Sequence, residues 1–495
     1  MGTRVDSPLN ALLEPAGIQG RGGRDDAPHL VLVRVPSWLG QGDRHPENCE
    51  APLELGYGAA LAEAAGWRWT LLDLETGVFG VQEIADALGR ERPEVVLLGG
   101  ITPAVPWMLR LARDIRDRSP GTLVLAYGQH ADALPETLLG PGSGIDACLR
   151  GELEAHLPGV LGRDRQGLVG LPGVVVAGAE GSLPGPGSLP MVHRLDSLPL
   201  PRHQAFLNRR YRYLHPMRLV ARHRWGFLQG SRGCPFGCIY CSKALRASYG
   251  SGMRYRSPEG IVEEMRWLER HGVNVMVFTD DVFNLDRGRV LRLCEAILRA
   301  GIRIRWTAEG RVRPADPEMF RMMRRAGCTT FSMGVESGSP RILESLRKQV
   351  TIEEIEEAFR LAREAGLWRV AFFMVACPGE TAEDFEATRR LMLRLDPEMI
   401  QVAYFTGYPG SEAYRRHFAG RNLPWETFQH YERLENLSSE PDAVVRTWQQ
   451  RLYRDFALRP SFLARYLWQK NLNLLWNPDT EGFLVSQGIR VIFRK

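Results

Sequence analysis

Twice along this chain, short β-branched apolar runs alternate with amphipathic stretches of helical period that stop at glycine. No other feature limits the possible folds so strongly. In the first series Leu30 to Pro36, Trp67 to Leu74, Glu94 to Gly99, Thr122 to Ala126 and Ile145 to Leu149 read as strands. Leu53 to Ala65, Val81 to Gly89 and Val105 to Asp117 read as the helices between them. Strands joined through helices pair in parallel, and right-handed crossovers put helices on both faces. Residues 28–161 are therefore expected to form a Rossmann-like, doubly wound domain. The second series has strands at Gly226 to Gln229, Val273 to Phe278, Ile302 to Thr307, Thr330 to Val335, Arg369 to Val375 and Met399 to Phe405. Ser257 ahead of Pro258 marks a helix start, and Thr351 with Glu354 forms a capping box. Six strands fall short of a closed eight-stranded barrel, so a partial, open-sided (β/α)6 barrel is expected over residues 208–420.

Between the two lies a Gly/Pro-rich stretch, residues 162–207, read as a linker with one hairpin near Gly173 to Ala177. Residues 1–27 read as a polar, disordered lead-in. Residues 421–495 read as a mainly helical segment in which Trp448, Leu452, Phe456, Phe462, Tyr466 and Trp468 are interleaved with Arg451, Arg454, Arg459 and Arg465. That pattern suits packing over the open side of the barrel. Asn208 to Tyr213, continuing to Arg218, Arg222 and Arg224, is basic and aromatic. It reads as a solvated face, with an anion-holding surface as the alternative.

Hydrophobic residues make up 44% and charged residues 24% of the 495, with a formal charge of +5, which gives no reason to expect nucleic-acid binding. No apolar run approaches the ~18 residues of a membrane span. Eight cysteines, five of them scattered, do not look like a disulfide framework, and a cytoplasmic protein is expected.

Chemistry concentrates in Gly233-Cys234-Pro235-Phe236-Gly237-Cys238-Ile239-Tyr240-Cys241. Three thiolates at C-x-x-x-C-x-x-C spacing are soft ligands for iron–sulfur clusters, zinc or Cu(I). A closed zinc site wants four ligands, and no second C-x-x-C exists to complete one. Further polar residues fall at the predicted strand ends: Asp280 and Asp281, Glu309 and Arg311, Glu336, Glu380 and Thr406. In the first domain Gly99, Gly100 and Thr102 follow the third strand, and Gly128 and His130 the fourth. Sheets of this type bind ligands beyond those ends.

With Ser231-Arg232-Gly233 before the cysteines, Phe278-Thr279-Asp280-Asp281, Gly334-Val335-Glu336-Ser337-Gly338, Pro378-Gly379-Glu380-Thr381 and Tyr408-Pro409-Gly410-Ser411, the sequence resembles the cobalamin-binding class of radical S-adenosylmethionine (SAM) enzymes. The resemblance spans roughly residues 28–420. It implies a [4Fe–4S] cluster on Cys234, Cys238 and Cys241, with SAM on the fourth iron. It places Tyr240 against the adenine, Asp281 or Asp280 at the methionyl ammonium, Glu336 near the ribose and Arg311 at the carboxylate. Ala376 stands where the family often has glycine. Cobalamin is implied over Gly99, Gly100, Thr102, Gly128 and His130. Asp43 to Asn48 half matches a D-x-H-x-x-G cobalt-ligand pattern without its glycine, so His45 is expected to be a loop histidine.

The implied activity is methylation of an unactivated carbon of a small-molecule or natural-product-intermediate substrate. In that chemistry a 5′-deoxyadenosyl radical removes hydrogen, and an external donor such as flavodoxin or ferredoxin supplies electrons. A non-methylating rearrangement or oxidative cyclisation is the runner-up, and a cobalamin-binding sensor or carrier the non-enzymatic alternative. A transfer-RNA methylthiotransferase would need three more N-terminal cysteines, and only Cys49 and Cys148 precede the linker.

Overall fold

The computed structural model describes residues 21–37, 49–76, 81–178, 189–208, 211, 213, 223–241, 252–429 and 433–464. His45, the basic run at 209–222 apart from Tyr211 and Tyr213, and the tail residues Arg465, Tyr466 and Trp468 lie outside them.

The first sheet contains β1 (Arg21–Gly22), β2 (His29–Arg34), β3 (Arg68–Asp73), β4 (Val95–Gly99), β5 (Leu123–Tyr127), β6 (Ala147–Leu149) and β7 (Val174–Val176), in the spatial order β1-β3-β2-β4-β5-β6-β7. The five central strands are parallel, and β4 and β5 are buried along their whole length. Burial on both faces explains why they read as continuous apolar runs rather than alternating ones. The chain runs from β2 outward to β3 and then returns to β4 on the other side, which makes the β2/β4 boundary the switch point of the sheet.

Two expectations change here. Val174–Val176 is no local hairpin but an antiparallel edge strand on β6. Arg21–Gly22, read as part of the lead-in, pairs antiparallel with β3. Both are short edge strands whose partners are distant in sequence, so no local pattern announces them.

The second unit contains β8 (Trp225–Leu228), β9 (Ser231–Arg232), β10 (Arg254–Tyr255), β11 (Val275–Phe278), β12 (Arg305–Arg311), β13 (Cys328–Glu336), β14 (Trp368–Val375) and β15 (Met399–Tyr404). Six of these form one parallel sheet in the order β15-β14-β13-β12-β11-β8, the expected partial barrel. The strands β12 and β13 extend beyond their predicted ends because pairing carries polar residues such as Glu309 and Glu336 into the ladder. Helix starts follow local rules: Ser257 Oγ accepts from the Gly260 amide, and Thr351 and Glu354 complete the capping box.

The helix Asp442–Ala457 closes the far edge. Val445, Trp448, Leu452 and Phe456 are buried in the barrel core, and Trp448 stacks on Phe385 at 4.8 Å. On the same helix Tyr453 Oη accepts from the Val402 amide at 3.0 Å, and Gln449 Nε2 donates to the Val402 carbonyl at 2.8 Å. The exposed backbone edge of β15 is thus met by two side chains rather than left as a template for another strand. Among the described residues no helix is long and apolar enough to cross a membrane. Trp448→Ala is expected to destabilise the barrel by ~3–5 kcal/mol, read as a lowered denaturant midpoint at unchanged m-value.

Candidate functional site

The cysteine loop leaves β9, and its stem is closed by β10. Asp280, just past β11, anchors that stem. Its carboxylate accepts from the Gly230 amide at 2.7 Å, from Ser231 Oγ at 2.5 Å and from Arg289 Nη2 at 3.2 Å, and its side chain is fully buried. Asp281 accepts from the Gly233 amide at 2.8 Å, one residue before Cys234. Both aspartates thus hold the stem, Asp280 through Gly230, Ser231 and Arg289 and Asp281 through the Gly233 amide.

None of the three loop cysteines is in a disulfide; Cys238 is buried and the other two half-buried. Burial raises the Cys234 thiol above its ordinary range. Arg311 brings a cation to the loop: its guanidinium lies 3.6 Å from Cys238 Sγ and 3.8 Å from the Phe236 ring centroid. Among the described residues no three His, Cys, Asp or Glu side chains converge tightly enough to hold one metal ion. A four-iron cluster has no such requirement, because each cysteine binds a separate iron. The donor chemistry, three free thiols beside a guanidinium, fits that cluster.

At the end of β13 the register shifts between Gly334 and Glu336, and Glu336 takes a positive φ of 67°. Lys348 Nζ meets its carboxylate at 2.6 Å, both groups being largely buried. A Cβ at Gly334 would come within 2.6 Å of Glu336 Oε1 and 2.7 Å of Lys348 Nζ, so only glycine leaves this pair its space. Arg311 also donates to the Lys348 carbonyl. Tyr240 lies beside Glu336, and burial together with that carboxylate holds its phenol neutral. The cysteine loop, Arg311, Glu336 and Tyr240 are therefore brought together.

Lys348 was missed, and nothing in its local sequence signals it. Ala376 holds a left-handed φ of 61°, so an alanine adopts the backbone expected of glycine. Glu380 is buried with one oxygen accepting from the Cys377 amide and the other without a hydrogen-bond partner; burial pushes its carboxyl up to about 8. Glu309, by contrast, is engaged by the Tyr213 hydroxyl, and Thr406 by the Tyr404 carbonyl at 3.2 Å. Lys348→Met leaves the buried Glu336 carboxylate unpaired. Such a loss costs ~3–5 kcal/mol, and SAM binding by equilibrium dialysis is expected to weaken at least tenfold.

Across the interface, Gly99, Gly100 and Gly128 leave bare backbone at the ends of β4 and β5. A Cβ on Gly99 would meet the Tyr127 ring at 2.3 Å, and one on Gly128, at φ 105°, would meet the Gly100 carbonyl at 2.7 Å. Thr102 begins the next turn and is hydrogen-bonded to His130 Nδ1 at 3.3 Å, while His130 Nε2 meets Thr137 Oγ1 at 2.8 Å. The Cβ positions of Gly99 and Gly128 are taken up by Tyr127 and Gly100 themselves, so the glycines let the two strand ends approach each other beside the switch point, where sheets of this type take their ligands.

Trp425, from the segment after the barrel, lies edge-on to the His130 ring at 4.8 Å, and Gln429 donates to the Ser37 carbonyl at 3.2 Å. The C-terminal segment therefore reaches back over the first domain, a contact that no sequence pattern marked. Burial lowers His130 from 6.5 to about 4, which keeps it neutral near pH 7. A depressed folded-state value makes its contribution to stability complete above pH ~6.5, falling by roughly 3 kcal/mol as the pH drops toward 4. His130→Gln is expected to flatten the pH dependence of first-domain unfolding over that interval.

The two α/β units meet with the stem of the three-cysteine loop bonded to the first domain and the C-terminal segment packed on His130. Residues 228–392 match the Radical SAM superfamily and residues 44–161 the B12 binding domain. Hopanoid C-3 methylase of Methylococcus capsulatus is 32% identical over 382 residues, 75% of this chain and 69% of that protein. An uncharacterized methyltransferase of Pyrococcus horikoshii is 26% identical over 421 residues, 83% of this chain and 87% of that one. The anaerobic magnesium-protoporphyrin IX monomethyl ester cyclase of Synechocystis is 27% identical over 459 residues, 89% and 88% of the two chains. Among solved structures, the radical S-adenosylmethionine methyltransferase TsrM from Kitasatospora setae aligns with a TM-score of 0.59 at 20% identity, covering 78% of this chain and 75% of that one. The chain belongs to the cobalamin-binding radical SAM enzymes. Its cofactors are a [4Fe–4S] cluster, SAM and cobalamin.

Proposed function

We propose that this chain is a cobalamin-dependent radical SAM C-methyltransferase acting on an unactivated carbon of a small molecule. The observation that supports the reading is the docking of the cysteine-loop stem on the first domain, with the C-terminal segment packed on His130. The names of the relatives at 32% and 26% identity support it.

Cys234, Cys238 and Cys241 would hold the cluster; Asp281, Arg311, Glu336 and Tyr240 would hold SAM. Gly99, Gly100, Thr102, Gly128 and His130 would line the cobalamin site. When bound, these groups supply one-electron chemistry and a transferable methyl group. The protein's own part is to orient and to exclude water. Arg311 offers the cation suited to a SAM carboxylate, and Lys348 fixes the Glu336 carboxylate where ribose hydroxyls could donate to it. Met374, Cys377 and Phe405, with Tyr240 and Tyr408 packed against them, form an apolar wall beside the loop. An external flavodoxin- or ferredoxin-type donor would supply electrons, and the eight free thiols suit the reducing cytoplasm.

The reconstituted enzyme is to be assayed with SAM and a hopanoid extract first, since the relative at 32% identity is named for that class. Methylation predicts S-adenosylhomocysteine and 5′-deoxyadenosine in comparable amounts. 5′-Deoxyadenosine without S-adenosylhomocysteine would instead establish rearrangement or oxidative cyclisation, the chemistry suggested by the cyclase relative. No SAM cleavage by the reduced protein would leave the sensor or carrier reading.

A further inference from the structure

The stem of the cysteine loop contains an electrostatic conflict. Arg232 on β9 and Arg254 on β10 are directly paired across the two-stranded ladder, and like charges in that position repel. Neither arginine is well hydrated, their side chains being 7% and 16% exposed. The conflict is resolved by the other domain. Arg232 Nη2 meets Glu154 Oε1 at 2.6 Å and its Nη1 meets Glu152 Oε2 at 3.3 Å. Arg254 grips Glu152 through both terminal nitrogens, at 2.9 and 2.6 Å. Both glutamates stand at the start of the helix Leu153–Val160, which follows β6 of the first domain.

Other bonds complete the arrangement. Arg232 Nε donates to Gln229 Oε1 at 2.7 Å, its guanidinium lies 5.6 Å from the Tyr57 ring, and the Val192 amide donates to Glu152 at 2.7 Å. Two cations from the loop stem and two anions from the first domain make a neutral, largely buried quartet. Removing one member leaves a buried charge unpaired, which costs far more than a surface pair is worth.

We propose that Glu152 and Glu154 are positioning residues for the iron–sulfur loop: they hold the Arg232/Arg254 stem in register, so that the cluster site is completed by docking of the cobalamin domain. The proposal rests on the cofactor assignment above but concerns a different property, the dependence of one site's geometry on the other's domain. It makes the distance between the two cofactor sites a consequence of four side chains, one of which, Arg232, lies two residues before Cys234.

The test uses the full chain carrying cluster and cobalamin, in three forms: native, Glu152→Arg, and Glu152→Arg with Arg254→Glu. Two measurements are made, amide hydrogen exchange over Gly230 to Gly233 and Gly252 to Arg256, and the electron paramagnetic resonance signal of the reduced cluster with and without SAM. The single variant is expected to exchange at least tenfold faster in both stem segments and to lose the SAM-induced change in the signal, with Leu123 to Tyr127 as protected as before. The double variant, with its opposite charges restored, is expected to recover both. If the single variant matches the native protein, or if the double variant fails to recover, the proposal is overturned. Should Glu152→Arg not fold, Glu152→Gln with Glu154→Gln carries the first comparison under the same criterion. A native enzyme without any SAM-induced change would count against the cofactor assignment, and the exchange measurements would still decide the role of the quartet.

Discussion

A parallel strand pair cannot be joined by a tight turn, because the chain must return to the starting edge before the next strand begins. In both units the return runs through a helix, and this places every loop that follows a parallel strand at one edge of its sheet. The consequences reach the whole site. Glycines stand at the ends of β4 and β5, the cysteines and Asp281 follow β9 and β11, and Arg311 and Glu336 are the last residues of β12 and β13. No one of these residues is unusual for a loop. Their meaning comes from sharing an edge.

The two edges are held face to face by apolar burial and buried charge together. A single hydrophobic cluster runs from Leu32, Leu97 and Leu125 of the first sheet through Phe206, Tyr211 and Tyr213 to Phe227, Val275 and Val277 of the barrel. Burying such side chains is favourable by ~25 cal/mol per Å2 but carries little directional information. Direction comes from the polar contacts set into it. Tyr211 donates to Asp73 at 2.7 Å, Tyr213 reaches Glu309, and the Arg232/Arg254 stem meets Glu152 and Glu154. The apolar contact keeps the units together, and the polar contacts fix which residues oppose which.

Inside the barrel the same logic applies at shorter range. Charges there are worth having only when paired, since desolvation can exceed the attraction between them. Asp280 is paired with Arg289 and Glu336 with Lys348, each at hydrogen-bonding distance. Asp280 is bonded to the loop stem, while Glu336, at a left-handed backbone position, is held by Lys348.

Much of this was legible in the sequence. Periodicity and glycine stops gave both sheets, since a strand buried on both faces and a helix with one apolar face leave different local patterns. The spacing of Cys234, Cys238 and Cys241 marked the loop, and the strand-end motifs marked its surroundings. What could not be read were contacts between residues far apart in the chain: the edge strands β1 and β7, Lys348 against Glu336, Trp425 against His130, and the bonds from Tyr453 and Gln449 to β15. Each joins a residue with no distinctive neighbourhood to a partner that only the folded chain supplies. The sequence by itself determined two parallel α/β units and a three-thiol loop, because backbone pairing and ligand spacing are local properties. The tertiary structure alone decided how the two units face each other and which buried charges pair, because burial and charge pairing depend on what packs opposite.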